Sequence, residues 1–346
     1  MCGFAGVHEA DPGKPVERSM LEQMLRPILH RGPDGTGYHD EPGLGLAFCR
    51  LAIIDVEHGD QPMANDDGSI LLVFNGEIYN FRQLREELES KGRRFRTASD
   101  TEVLLRSYEE WGRDCVRRLR GIFAFAIWDR GSRELFLARD HSGIKPLYLA
   151  VEPDRTLFAS EAKAILSQPE LRRGIDFVGY LGGNDFSGHF LRSAFLGIVE
   201  LAPGCTMLCT AEGRSTSRYW KYEPSDDPGR ENGLLLIEKF KASVHEAVGM
   251  QLVADVPIAA SLSGGVDSAA IVASMVLHAR RDVRTYTVEF EGDQTGDSRH
   301  AQFAAAFLGV ENVRVPCALA DASDIARTAW HAEGEFDLGF VARYAL

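Results

Sequence analysis

The chain has 346 residues, a length that favours two domains, and its 45% hydrophobic and 26% charged residues are typical of a globular protein. Its 38 Lys and Arg residues against 51 Asp and Glu residues give a net charge of −13, which argues against a nucleic-acid-binding surface or a polybasic membrane-binding face. The sequence contains neither a run of about 18 apolar residues nor a basic start followed by an apolar leader, so we expect a cytoplasmic protein that does not cross a membrane.

Hydrophobic periodicity divides the first half of the chain into short helices and strands. Helices are predicted over 20–29, 81–88 and 103–111, and strands over 44–54, 70–74, 122–128, 135–138 and 147–150. A capping box at Ser99 and Glu102 is expected to start the third helix. The last three strands are separated by turns, which is typical of consecutive antiparallel strands.

The polar segment 222–232 contains two prolines and is the best candidate for a linker. Beyond it, helices are predicted over 234–248, 269–278 and 299–308, and strands over 256–262, 284–290 and 313–316. This alternation of strands and helices predicts a parallel sheet. We therefore assign residues 2–210 to a first domain, 211–232 to a linker and 233–346 to a second domain.

The cysteines are scattered along the chain, at Cys2, Cys49, Cys115, Cys205, Cys209 and Cys317. They are too few and too dispersed for a disulfide framework. Cys205 and Cys209 form a close pair, but a zinc site needs two further clustered Cys or His ligands, which the nearby sequence lacks. We therefore predict buried thiols, with Cys2 set apart by its place near the start of the chain.

Cys2 becomes the first residue once the initiator Met is removed, and small second residues generally allow that removal. A terminal cysteine supplies a nucleophile and a base in one residue, because its α-amino group has a pKa of about 7.7–8.0 and accepts the thiol proton near neutral pH. The alternative is a buried thiol at an N-terminal strand, which is the ordinary interpretation of a cysteine taken alone.

Other motifs in the sequence favour a catalytic role for Cys2 over this ordinary interpretation. In chain order they are CGFAG at 2–6, RGPDG at 31–35, RLAIID at 50–55, NGEIYN at 75–80 and SDTE at 99–102. Together they resemble the glutaminase domain of class II glutamine amidotransferases, which belong to the N-terminal-nucleophile hydrolases. The resemblance covers most of residues 2–200. It implies an α+β sandwich of antiparallel sheets between helices, with Cys2 as the nucleophile.

The resemblance also implies an oxyanion hole and a pocket for a zwitterion. Asn75 supplies a side-chain amide and Gly76 an unobstructed backbone N–H, two donors that stabilise a tetrahedral oxyanion. Arg50 binds the α-carboxylate of glutamine, to which its guanidinium can donate two parallel hydrogen bonds. The implied glutamine-binding residues are Arg50, Leu51, Ile53, Ile54, Asn75, Gly76, Glu77 and Asp100.

Asp100, with Glu77 nearby, is the implied site for the α-ammonium group of glutamine. The alternative for Asp100 is a favourable negative charge at a helix N-terminus, and both roles can hold at once. The 31–35 loop is expected to close over the pocket, with a plain structural turn as its alternative. The sequence departs from the family pattern at Cys49, where a basic residue usually precedes the arginine.

A further motif, SGGVDS at 263–268, follows the predicted strand 256–262 and opens a predicted helix. Gly264 and Gly265 remove side chains where phosphates must approach the backbone. The free N–H groups at the helix start then attract an anion. No Gly-Lys-Ser/Thr follows, so this is not a Walker-type loop.

The motif resembles the PP-loop of ATP pyrophosphatases, which cleave ATP between the α and β phosphates. The implied ATP-binding residues are Leu262, Ser263, Gly264, Gly265, Asp267, Ser268 and Val288. Ser263 and Ser268 supply hydroxyl donors, and Val288 matches a position that contacts adenine in that family. Asp267 is suited to the Mg²⁺ that accompanies nucleotide phosphates.

A glutaminase followed by a PP-loop resembles the glutamine-hydrolysing asparagine synthetase family. The implied reaction is a relay in which Cys2 releases ammonia from glutamine, ATP adenylates a carboxylate, by resemblance that of aspartate, and ammonia displaces AMP. The implied second domain is an α/β parallel-sheet ATP-pyrophosphatase domain. Because the later Gly-rich acidic motif and lysine of the family do not occur, we expect this domain to be incomplete and its synthetase activity to be weak or absent.

Alternatives stay open at this point. In one alternative, the chain acts only as a glutaminase or as an ammonia-donating partner of a complementing subunit. In another, it amidates a different carboxylate in specialised metabolism. The expected small molecules are glutamine, ATP and aspartate, with Mg²⁺. A homodimer is compatible with the sequence, whereas neither a nucleic-acid nor a membrane partner is expected.

Overall fold

The computed structural model describes residues 1–181, 188–224, 233–278, 283–290, 297–317 and 322–333. The chain forms two compact units, residues 1–222 and residues 223–346. Residues 225–232 of the predicted linker 211–232 lie outside the described residues.

The first unit alternates strands with short helices. Its strands are β1 (Gly3–Glu9), β2 (Gly35–Glu41), β3 (Leu44–Arg50), β4 (Met63–Ala64), β5 (Ile70–Ile78), β6 (Gly121–Asp129), β7 (Glu134–Arg139), β8 (Tyr148–Val151), β9 (Arg155–Ala159), β10 (Phe190–Arg192), β11 (Val199–Leu201), β12 (Cys205–Thr210) and β13 (Gly213–Arg218). Its helices are α1 (Arg18–Leu25), α2 (Phe81–Ser90), α3 (Asp100–Trp111), α4 (Ala162–Leu166) and α5 (Phe177–Tyr180).

Two antiparallel sheets form the centre of this unit. Their strand orders are β10-β11-β8-β9-β1-β3-β2 and β13-β12-β7-β6-β5-β4. Successive residues of a strand point to opposite faces, so Phe4 packs with Val73 and Trp128 between the sheets, whereas Ala5 and Val7 pack against α1 and α4. On the other sheet, β5 is in contact with α3. The predicted sandwich of antiparallel sheets between helices is confirmed.

Strand register brings the predicted site residues to one region. In β1, Gly3 pairs with Cys49 of β3, so Cys2 lies beside the end of β3 at Arg50. In the other sheet, Asn75 and Gly76 of β5 pair with β6. Because β1 and β5 are also in contact, the start of the chain lies next to the strand that carries Asn75.

Several elements differ in extent from the prediction. Helix α1 ends early and is followed by a 3₁₀ segment, Arg26–Arg31, because Pro27 has no N–H to donate within a helix. Strand β3 ends at Arg50, so residues 51–54 form a loop and not the predicted strand. The 213–218 segment, which the sequence placed in the linker, forms β13 and pairs with β12.

The start of α3 is stabilised by half of the predicted capping box. The N–H of Glu102 donates to the Ser99 hydroxyl at 3.2 Å, as predicted. The Glu102 carboxylate accepts from the backbone N–H groups of Arg96 and Thr97, at 2.9 and 2.7 Å, and not from Ser99. These bonds fix the helix start and therefore the position of Asp100.

The second unit contains α6 (Gly233–Gln251), β14 (Ala259–Ser261), α7 (Val266–His278), β15 (Arg284–Phe290), α8 (Asp297–Leu308), β16 (Glu311–Cys317) and α9 (Ala322–Ala332). The strands form a parallel sheet in the order β14-β15-β16, which confirms the predicted alternation. Strand β14 is shorter than the predicted 256–262, and Pro257 has no N–H for a strand ladder. Among the described residues, no helix is long and apolar enough to cross a membrane.

Candidate active site

Cys2 immediately precedes β1 and packs against the core between the two sheets. Its Sγ accepts a hydrogen bond from the N–H of Leu51 at 3.3 Å and donates to the carbonyl of Leu51 at 3.4 Å. The Nε of Arg31 donates to the Cys2 carbonyl at 2.9 Å. The thiol and the backbone of Cys2 are therefore held from two sides.

The local charges act on both the thiol and the terminal amine. Burial raises the pKa of the Cys2 thiol, while the Leu51 N–H and the positive chain terminus oppose that rise. Burial also lowers the pKa of the terminal amino group, which is carried here by Met1. A lower amine pKa leaves more free base at neutral pH, and the free base is the form that accepts a proton.

Asn75 and Gly76 lie next to each other on β5. Asn75 is 1% exposed, and its Nδ2 has no hydrogen-bond partner within the described part of the chain. A buried polar group left unpaired costs about 1–3 kcal/mol, so such a group in a folded protein calls for a functional explanation. A Cβ at Gly76 would lie 2.2 Å from the carbonyl oxygen of Ile122, so only glycine fits there.

Glu77 and Asp100 form a pair of carboxylates beside this strand. The N–H of Ile78 donates to Asp100 Oδ2 at 2.9 Å, which joins the end of β5 to the start of α3. Burial raises the pKa of both carboxyl groups, and the charge of Asp100 raises that of Glu77 further. The pair is therefore an acidic pocket whose negative charge a bound ammonium group would balance.

Arg50 donates to oxygens of the loop that follows β3. Its partners are the carbonyls of Val56 at 2.7 Å and Asp55 at 2.6 Å, and the Asp60 carboxylate at 3.2 Å. The carboxylate-binding role that the resemblance implies for Arg50 stays a prediction, and in the structure its guanidinium organises this loop. Binding a carboxylate would require Arg50 to exchange part of these bonds.

The predicted hydrophobic members of the glutamine pocket lie in this same loop. Leu51, Ile53 and Ile54 are half-buried. Asp34 Oδ2 accepts from the N–H of Ala52 at 2.8 Å, so the 31–35 segment is bonded to the loop. The structure therefore brings all the sequence-predicted glutaminase residues to one region of the first unit.

Sequence reasoning missed charged residues around Cys2. Arg31 Nη1 donates to Glu161 Oε1 at 2.6 Å, and both side chains are buried. Lys145 is also buried, and its positive charge acts to lower the pKa of the Cys2 thiol. Arg31 lies in the RGPDG motif at 31–35, but nothing in the one-dimensional pattern shows that Arg31 with its partner Glu161, and Lys145, come together near Cys2.

In the second unit, the SGGVDS turn joins β14 to α7. The hydroxyls of Ser263 and Ser268 lie 3.0 Å apart, and the Ser263 N–H donates to Ser268 Oγ at 3.2 Å. Gly264 has a φ of +82°, a conformation that favours glycine. A Cβ at Gly264 would also lie 2.5 Å from the backbone nitrogen of Ala301. The turn is thus compact and depends on its first glycine.

The other predicted ATP-binding residues lie around this turn. Leu262 is buried, and its N–H donates to the carbonyl of Tyr286 at 2.8 Å. Val288 is half-buried on β15, two residues beyond Tyr286, at the carboxyl end of the sheet. Ligands of open parallel sheets bind outside this end of the strands.

Gly265 and Asp267 are exposed at the start of α7. Within the described ranges, the structure contains no cluster of three His, Cys, Asp or Glu side chains that could hold a metal ion. A single carboxylate such as Asp267 suits Mg²⁺ only when the ion is also bound by substrate phosphates, which is the usual arrangement for this ion.

Comparison with known families agrees with this geometry. The family model for the glutamine amidotransferase domain matches residues 1–220, and that for asparagine synthase matches residues 239–344. The chain belongs to the asparagine synthetase-type glutamine amidotransferase family.

Similar curated proteins include two from Bacillus subtilis (strain 168). Asparagine synthetase [glutamine-hydrolyzing] 1 is 34% identical over 96% of this chain and 52% of its own length, and asparagine synthetase [glutamine-hydrolyzing] 3 is 36% identical over 84% and 48%. Amidase chry2 of Gibberella zeae is 33% identical over 90% of this chain and 50% of its own. The chain thus spans about half the length of these relatives.

A solved structure of similar fold is the Bacillus subtilis glutamine phosphoribosylpyrophosphate amidotransferase complexed with ADP and GMP. It matches 90% of this chain and 65% of its own, with a TM-score of 0.49 and 19% sequence identity. Similarity at this level is too low for any residue role to be transferred from it.

Proposed function

We propose that the first unit hydrolyses glutamine to glutamate and ammonia, with Cys2 as the nucleophile. The observation that carries this proposal is the buried Asn75 amide beside Gly76, whose Nδ2 has no hydrogen-bond partner among the residues that the structure describes. A preorganised donor held in place and not used by another protein group is what an oxyanion hole requires. The bonds from Leu51 to the Cys2 thiol add a defined position for the attacking sulfur.

The proposed reaction uses the amino group of Cys2 after Met1 is removed. The free amine takes the thiol proton, and the sulfur attacks the side-chain carbonyl carbon of glutamine. Asn75 Nδ2 and the Gly76 N–H stabilise the oxyanion, and the amine returns the proton to the leaving ammonia. Water then hydrolyses the glutamyl thioester, which releases glutamate and restores the thiol.

Recognition of glutamine follows from the charges around this centre. Glu77 and Asp100 bind the α-ammonium group, because burial and mutual repulsion make a cation favourable there. Arg50 binds the α-carboxylate by exchanging a loop oxygen for a substrate oxygen, and Leu51, Ile53 and Ile54 line the pocket. Arg50 would then couple substrate binding to the position of the 51–60 loop.

The second unit, in this proposal, contributes an ATP-binding turn. The residues around it, Leu262, Ser263, Gly264, Gly265, Asp267, Ser268 and Val288, bind ATP, and Asp267 takes part in holding phosphate-bound Mg²⁺. The whole reaction is glutamine-dependent amidation of an adenylated carboxylate, with aspartate as the acceptor suggested by the names of the relatives. Its setting would be the cytoplasm.

Other candidates remain as outcomes of experiment. One alternative is that the chain acts as a glutaminase alone, and another is that it donates ammonia to a complementing subunit. The similarity to a protein named an amidase favours testing carboxylates other than aspartate.

Glutamate release from glutamine tests the first part of the proposal. Cys2→Ala should abolish glutamate release, whereas Cys49→Ala should retain it. The Cys49 thiol packs on the α1 side of β3, away from the core between the sheets, and donates to the Ile28 carbonyl at 3.4 Å. Equal activity of the two variants would refute the role of Cys2. Glutamine-dependent formation of AMP and pyrophosphate, measured with and without aspartate, tests the second part.

A further inference from the structure

Lys145 lies between β7 and β8 and is 7% exposed. Its ammonium group makes no hydrogen bond or ion pair with any residue that the structure describes. Lys163, which is equally buried, is by contrast paired with Glu161. Buried charges are normally paired, since an unpaired charge is costly to remove from water. Lys145 is therefore a largely buried cation without a counter-ion among the described residues, and the groups around it indicate a role.

The backbone of Lys145 is locked to the strand that neighbours the oxyanion residues. The Asp140 carboxylate accepts from the N–H of Lys145 at 2.9 Å and from the N–H of Phe123 at 3.2 Å. Phe123 is the β6 partner of Gly76. Arg139 Nε also donates to the Lys145 carbonyl, at 2.9 Å. The position of the lysine is thus fixed relative to β5.

The charged groups that face Lys145 come from several elements. Negative charge comes from the Cys2 thiolate, from Glu77 at the end of β5 and from Asp140 of its own loop. Positive charge comes from Arg31 and from the chain terminus. A cation at this place favours the thiolate form of Cys2 and disfavours a protonated terminal amine.

We propose that Lys145 is a positioning residue for the glutaminase step, a fixed positive charge that prepares both the sulfur of Cys2 and the amine that activates it. This rests on the proposed function of Cys2. The lysine does not touch the reacting atoms in this proposal. It acts by stabilising the thiolate and by keeping the terminal amine in its free-base form.

The test compares Lys145→Met, which removes the charge, with Lys145→Arg, which keeps it. The readout is the rate at which iodoacetamide alkylates Cys2 as a function of pH, followed by mass spectrometry of the N-terminal peptide. This readout does not depend on glutamine turnover. The pH profile of kcat/KM for glutamate release is measured in parallel, and intact mass establishes whether Met1 has been removed.

We expect Lys145→Met to move the alkylation midpoint and the acidic limb of kcat/KM to higher pH by about 0.5–1 unit, with Lys145→Arg near the wild type. Overlapping alkylation profiles for the wild type and Lys145→Met would overturn the proposal. An equal fall in kcat/KM at every pH would also overturn it, because that is the result expected for a lysine with a merely structural role. If alkylation shifts but the wild type hydrolyses no glutamine, the proposed function fails while the electrostatic role of Lys145 stands.

Discussion

Replacing Asn75 by alanine should lower the glutaminase activity while leaving the stability of the protein nearly unchanged. The Nδ2 of Asn75 has no partner within the described residues, so the substitution breaks no hydrogen bond of that atom and relieves a burial cost of about 1–3 kcal/mol. That gain offsets the packing lost with the side chain, and the free energy of unfolding should change by less than about 1 kcal/mol. Loss of one oxyanion donor costs about 2.7–4 kcal/mol in the transition state, which lowers kcat by about 10²–10³-fold.

Asn65→Ala is the matched control. Asn65 is also buried next to β5, but its amide donates to Ser69 at 3.1 Å and to Glu109 at 3.0 Å, and its carbonyl accepts from Ile70 at 3.0 Å. This variant should lose about 1–3 kcal/mol of stability and keep its activity per folded molecule. Urea unfolding and initial rates of glutamate release give both quantities. A stable Asn75→Ala protein with near wild-type kcat would refute the oxyanion assignment.

Further substitutions, and the pH dependence of glutamine binding, test other parts of the structure. Gly76→Ala should destabilise the first unit by about 1–3 kcal/mol, because its Cβ would lie 2.2 Å from the Ile122 carbonyl oxygen, and an unchanged urea midpoint would contradict the strand packing. Gly264→Ala should weaken ATP binding measured by calorimetry but leave glutamate release intact, and a parallel loss of both would contradict independent sites. Binding of glutamine to the Cys2→Ala protein should release protons, because burial raises the pKa of Glu77 and of Asp100 and a bound ammonium favours their ionised forms. Affinity should therefore increase as the pH rises through the raised carboxyl pKa, and calorimetry in two buffers that shows no proton release would contradict this pairing.

Much of the fold follows from local sequence patterns. Alternating apolar residues predicted most strands of the sandwich, and the alternation of strands with helices beyond residue 232 predicted the parallel sheet of the second unit. These signals are local, because side-chain periodicity and turn chemistry are properties of short segments. The strand predicted over 51–54 was wrong. Its apolar run is typical of a strand, but in the structure these residues begin the loop to which Arg50 donates hydrogen bonds.

The site was less completely predictable. Cys2, Asn75, Gly76 and Asp100 were identified through motifs, but the engagement of Arg50 with the 55–60 loop and the burial of Lys145 beside Cys2 were not. These features depend on which segments the sheets bring together. Cys2 and Lys145 are far apart in the sequence, and no local pattern indicates that they lie close together in the fold. That Asn75 Nδ2 has no partner among the described residues likewise becomes visible only in three dimensions.

The most direct test is to look for the glutamyl thioester on Cys2. The protein is mixed with glutamine, quenched in acid within the first turnover, and the N-terminal peptide is analysed by mass spectrometry. The proposed function predicts a glutamyl adduct on the Cys2 sulfur that is absent from Cys2→Ala and present in Cys49→Ala. Glutamate release without any adduct, or an adduct on another residue, would contradict the assignment of Cys2 as the nucleophile.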